Sequence, residues 1–100
     1  MFIAILDFDT AAPDRAAALA QLDRESGQVR AMPGNVAFRV YASREADTRV
    51  TVVHEWQDEE SFAGYLASES FARSGEVLRP MMAGAPLSRR FRAELVEAVA

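Results

Sequence analysis

The hydrophobic positions change period several times along the chain, and each change marks an element. FIAILDF (Phe2 to Phe8) carries apolar side chains at successive positions and predicts a strand with apolar residues on both faces. From Pro13 onward the period lengthens. Leu19, Leu22, Val29 and Met32 keep helical spacing, with Asp14, Asp23, Arg24, Glu25 and Arg30 outside it. Pro13 suits the first turn of a helix, where its missing N–H costs nothing. Gly27 is expected to end or bend this helix early, and MPG (Met32 to Gly34) stops it.

NVAFRVYAS (Asn35 to Ser43) alternates, Val36, Phe38 and Val40 on one face against Ala37, Arg39 and Tyr41 on the other. The polar tip READT and the returning run RVTVVHEW (Arg49 to Trp56) complete a hairpin. Asp58 then reads as an N-cap, with Glu59 and Glu60 at the positive end of the helix dipole. Phe62, Tyr65 and Leu66 recur at helical spacing up to a break near Ser68 to Ser70. Phe71, Gly75, Leu78 and Met82 continue a second short helical face, interrupted at Pro80. PLSRRFRAELVEAV (Pro86 to Val99) is expected to be the last strand, with a fraying tail.

The order β-α-β-β-α-β fits a ferredoxin-like α+β domain with an antiparallel sheet, one domain over residues 1–100. Right-handed crossovers place both helices on the same side of the sheet. The first three strands nevertheless carry large apolar residues on both faces, a patch too large for a monomer to leave in water. A homodimer through the sheet face is therefore expected. A 100-residue chain buries only about two thirds of its unfolded surface, so a partner would add to a modest core.

Composition narrows the function classes. Half the residues are hydrophobic and 26% are charged, an ordinary globular balance. The net charge of −4, with signs interspersed, argues against a nucleic-acid or anionic-membrane partner. With no cysteine, thiol catalysis, disulfides and thiolate metal sites are excluded. No metal and no cofactor is expected: there is no glycine-rich phosphate loop, no His/Asp/Glu set at ligand spacing, and a single His. The N-terminal stretch lacks a basic region before its apolar run, and no segment approaches the roughly 18 apolar residues of a membrane span. A cytoplasmic location is the expectation that follows.

The chemistry concentrates in VVHEWQDEESFAGYLASESF (Val52 to Phe71), where His54 and Trp56 share one side of a strand and Tyr65 returns on the helix. These residues read equally as core: a lone His on an apolar face is more often a hydrogen-bonded core residue than a catalyst. Together with MPGNVAFRVYAS and RPMMAGAP, the stretch resembles the antibiotic biosynthesis monooxygenase family of dimeric α+β barrels, over Phe2 to about Arg92. The most specific part of the resemblance is a strand ending in Trp56, the acid-rich turn QDEESF and a helix whose aromatic faces back.

That resemblance implies several activities: cofactor-free oxidation of anthrones or quinols, haem degradation, or isomerisation. The haem-degrading branch carries an Asn on the first strand and a His on the second helical region; Asp7 and Gly75 stand there instead, which disfavours haem. The quinol and anthrone branches place a Glu two residues before the Trp and a His on the following helix; those positions hold His54 and Tyr65. The two are expected to form the catalytic pair, the imidazole orienting the phenol through a hydrogen bond. His54, with an ordinary pKa near 6.5, is the candidate base. Trp56, Phe71 and Met82 are expected to line the substrate slot, and Tyr65 or Asn35 to hold a carbonyl or developing oxyanion. The implied function is a cofactor-independent monooxygenase acting with O2 on a flat phenolic, quinol or anthrone compound. The alternatives are a non-catalytic dimeric binding module and a polyketide cyclase or isomerase of the same fold.

Overall fold

The computed structural model describes residues 1–100. Strands β1 (Phe2–Asp9), β2 (Asn35–Ala42), β3 (Arg49–Trp56) and β4 (Leu87–Arg92) form one antiparallel sheet in the order β2-β3-β1-β4. Helices α1 (Arg15–Arg30), α2 (Glu59–Leu66) and α3 (Glu69–Leu78) complete a ferredoxin-like β-α-β-β-α-β order in which the second helical segment is broken in two.

Register turns the alternation into two faces. Phe2, Ala4, Leu6 and Phe8 stand opposite Trp56, His54, Val52 and Val50. Phe38 and Val40 extend the two middle rows on the far side, opposite His54 and Val52. This inner face packs against Ala18, Leu22 and Val29 of α1, Phe62 of α2 and Leu78 of α3 in one core. The outer face carries Ile3, Ile5, Val53, Tyr41, Leu87 and Phe91, of which Leu87 is 58% and Phe91 43% exposed. No helix is long and apolar enough to cross a membrane.

Three sequence expectations are corrected. Val36 does not share a face with Phe38: a bulge sets Asn35 opposite Trp56 and Ala37 opposite Glu55, and the extra residue Val36 turns out to solvent. Gly27 does not end α1, which runs to Arg30; one glycine costs a helix about 1 kcal/mol, less than the packing of Leu22 and Val29 returns. The last strand stops at Arg92 rather than near Val99. Its partner β1 begins at Phe2, opposite Arg92, and the Ala93 N–H, donating to the Met1 carbonyl, makes the last bond between the two segments.

Two caps form the corner that brings α2 and α3 to the site. The Asp58 carboxylate accepts from the Ser61 N–H (2.8 Å) at the start of α2, as the sequence suggests. Ser68 both donates to the Tyr65 carbonyl (2.7 Å), closing α2, and accepts from the Phe71 N–H (3.1 Å), opening α3. The corner folds Phe71 back onto Tyr65, ring centroids 5.1 Å apart. Gly34, at φ +80°, lies so close to the start of α2 that any Cβ would overlap the Ser61 side chain.

Candidate active site

Large apolar side chains fill the β2-β3 half of the inner face, whereas β4 offers it only Ser88, Arg90 and Arg92. Under that less filled half lies a cavity of about 260 Å³. Its walls are mainly apolar: Leu6, Phe38 and Val52 of the sheet, Leu66 and Phe71 of the helices, and Met82 beyond them. The polar groups on its lining include His54, Tyr65, Ser74, Ser88, Arg79 and Arg90. No Asp or Glu lines it.

His54 sits mid-sheet, between Ala4 on β1 and Phe38 on β2, where the small Ala4 side chain leaves room for an imidazole. Trp56, two residues on and therefore on the same face, donates its indole N–H to His54 Nδ1 at 2.8 Å. That bond makes Nδ1 an acceptor and leaves the proton of the neutral ring on Nε2. Burial, and secondly the positive charge of Arg90, push the His54 pKa down to about 4. At neutral pH the imidazole is thus an uncharged donor rather than the base its ordinary pKa suggested.

The same shift fixes how stability varies with pH. Between about pH 6.5 and pH 4 the unfolded chain binds a proton at His54 that the folded chain refuses, so stability falls as pH falls through this window. The full shift corresponds to about 3 kcal/mol. Urea unfolding followed across pH 4 to 7 is expected to show this loss for the wild type and a much flatter profile for His54→Gln. An equally steep profile in the variant would assign the loss to carboxylates instead.

Tyr65 meets His54 edge-on, with ring centroids 5.4 Å apart, and packs between Trp56 and Phe71. Burial, then the negative charge of Glu25, hold its hydroxyl well above the usual phenol range, so it too is a neutral donor. The expected His54–Tyr65 hydrogen bond is not formed: Trp56 occupies His54 Nδ1, and the two rings meet edge to face. Arg90 lies over the Phe62 ring, its guanidinium carbon 5.0 Å from the centroid.

Of the residues singled out in the sequence, His54, Tyr65, Phe71 and Met82 line the cavity. Trp56 and Asn35 do not. Trp56 is 0% exposed and reaches the site from behind, through its hydrogen bond to His54 and its packing against Tyr65 and Phe62. Asn35 stands at the bulge, its amide donating to the Ala37 carbonyl at 3.2 Å. Ser74 and Arg79 were not anticipated; the helical spacing Phe71, Gly75, Arg79 was the available signal. No group of three or more His, Cys, Asp or Glu side chains is placed to hold a metal ion.

A helix-backed antiparallel sheet over a small, mainly apolar cavity lined by a few polar groups defines a ferredoxin-like domain. More narrowly, the chain belongs to the antibiotic biosynthesis monooxygenase family, whose sequence model matches residues 1–76. Solved structures extend the likeness across β4. An antibiotic biosynthesis monooxygenase superposes with TM-score 0.86 at 15% identity, covering 95% of this chain and all of the other. Rv0793 from Mycobacterium tuberculosis gives 0.86 at 17% identity and 98% of each chain. A variant of SnoaB, a cofactor-independent oxygenase from Streptomyces nogalater, gives 0.80 at 20% identity, covering 95% of this chain and 94% of the other. At these identities the likeness is one of fold. No curated protein matches the sequence significantly.

Proposed function

We propose that the protein is a cofactor-independent monooxygenase that oxidises a small, flat phenolic, quinol or anthrone compound with O2. The observation carrying this reading is an apolar cavity lined by His54 and Tyr65, both uncharged at neutral pH, in a chain of this family. The substrate of such a reaction must lose a proton and pass an electron to O2. Neither donor is a base at neutral pH; their role is to hold the substrate oxygen and stabilise the charge it acquires on ionisation, the proton leaving to water. In the anthrone case the resulting carbanion combines with O2, and loss of water from the peroxide leaves a carbonyl: one oxygen atom enters the product and the other departs in water. The cavity volume of about 260 Å³ lies just under the roughly 300 Å³ at which ligand pockets ordinarily begin, which suits an occupant of two or three fused rings.

The working unit in this reading is a homodimer paired through the outer sheet face. Ile3, Ile5, Val53 and Phe91 supply its apolar centre, and the pairs Arg39–Glu55 and Asp7–Arg89 lie on the same face.

Oxygen uptake by the purified protein with anthrones and naphthohydroquinones tests the activity. Uptake above the autoxidation blank is expected for the wild type, and a fall of about 10²-fold or more for Tyr65→Phe, which removes one donor and little volume. Uptake no faster than the blank across the panel would sink the oxygenase. Substrate consumed without oxygen would replace it with an isomerase.

A further inference from the structure

The arginines divide unevenly. All eleven basic residues of the chain are arginine, and most are occupied. Arg39, Arg49, Arg73, Arg89 and Arg92 pair with carboxylates. Arg15 and Arg30 donate to backbone carbonyls, and Arg24 to the Gln21 side chain. Of the remaining three, Arg44 sits in the exposed β2-β3 tip. The Arg79 guanidinium makes no hydrogen bond or ion pair, and that of Arg90 reaches only the Ser88 hydroxyl at 3.3 Å. These last two line the same cavity, which has no acidic residue on its walls.

Both guanidinium groups have local support. Arg90 is stacked on Phe62. Arg79 folds back over α3 because Gly75 lacks a side chain: a Cβ there would stand 3.1 Å from the guanidinium carbon. In a chain of net charge −4, two unpaired cations at one apolar cavity form a local reversal of sign. Planar guanidinium groups match carboxylate geometry and strongly favour it over a neutral amide of the same shape.

We propose that the ligand of this cavity is a flat aromatic carboxylate, its rings among Phe38, Phe71 and Met82 and its carboxylate held by Arg79 and Arg90. The inference rests on the reading of the cavity as a site for small aromatic compounds, and it adds the charge of the ligand. Calorimetric titration with 1-hydroxy-2-naphthoate and with 1-hydroxy-2-naphthamide, its uncharged isostere, tests it. The wild type is expected to bind the carboxylate about tenfold or more tightly than the amide, with the gap shrinking at high salt. Arg79→Gln and Arg90→Gln should each remove several-fold of that preference, and the double variant should abolish it, the carboxylate losing far more affinity than the amide. Both side chains are exposed, so thermal melts of the variants should coincide with the wild type. Equal wild-type affinities, or a preference surviving in the double variant, would overturn the anion site and leave the oxygenase reading standing. If neither compound binds, the anion site and the aromatic pocket fall together.

Discussion

Trp56→Ala is expected to destabilise the domain by about 3–5 kcal/mol, the cost of emptying an aromatic-sized space in a packed core. For 100 residues this lowers the melting temperature by about 15 °C or more. Trp56 is fully buried, packs against Phe62 and Tyr65, and supplies the donor for His54 Nδ1. Trp56→Phe separates the two roles. It keeps most of the ring and removes the N–H, leaving a buried acceptor unsatisfied at about 1–3 kcal/mol. Thermal melts of both variants beside the wild type give the ranking, and NMR of the imidazole nitrogens should report a change of tautomer in Trp56→Phe. A melting point unchanged by Trp56→Ala would mean that the indole carries neither role.

The second large effect is expected at the opposite face of the same strand. Val53 lies on the outer side of β3, opposite Ile5 of β1. In a dimer closed by two-fold symmetry, Val53→Asp places an unpaired carboxylate in the apolar centre twice, once from each copy. A cost of about 2 kcal/mol per copy weakens association by about 10³-fold. Sedimentation equilibrium should find the wild type at twice the chain mass and the variant at the mass of one chain, with far-ultraviolet circular dichroism unchanged. A wild type that sediments as a single chain at micromolar concentration would refute pairing through the sheet.

Much of the architecture was legible because the two periods, near two and near 3.6, are cleanly expressed. From Val50 the burial of RVTVVHEW alternates without exception, and every inner-face member, Val50, Val52, His54 and Trp56, is buried. Asp58 announced the start of α2 by residue type alone, and the break read near Ser68 to Ser70 falls where Ser68 caps α3. Misreadings arose where a neighbour decides the outcome. Val36 follows simple alternation until a bulge, set by pairing with β3, displaces it. The length of β4 depends on where β1 begins, a fact held some ninety residues away in the chain.

The candidate site was legible in membership more than in role. His54, Tyr65, Phe71 and Met82 all reach the cavity. The part each plays depends on hydrogen bonds and burial that a sequence does not display. Trp56 takes His54 Nδ1 where a bond between His54 and Tyr65 was expected, and desolvation turns the candidate base into a donor.

The bond between Trp56 and His54 also gives the molecule a reporter. The indole is the only one in the chain, and its N–H is tied to a ring that lines the cavity. Its emission should therefore be blue-shifted in the empty protein, respond to any ligand that repolarises the imidazole, and be quenched in acid as His54 takes up its proton. Occupancy can then be read by fluorescence without a label, in the unmodified protein and before any turnover has been detected.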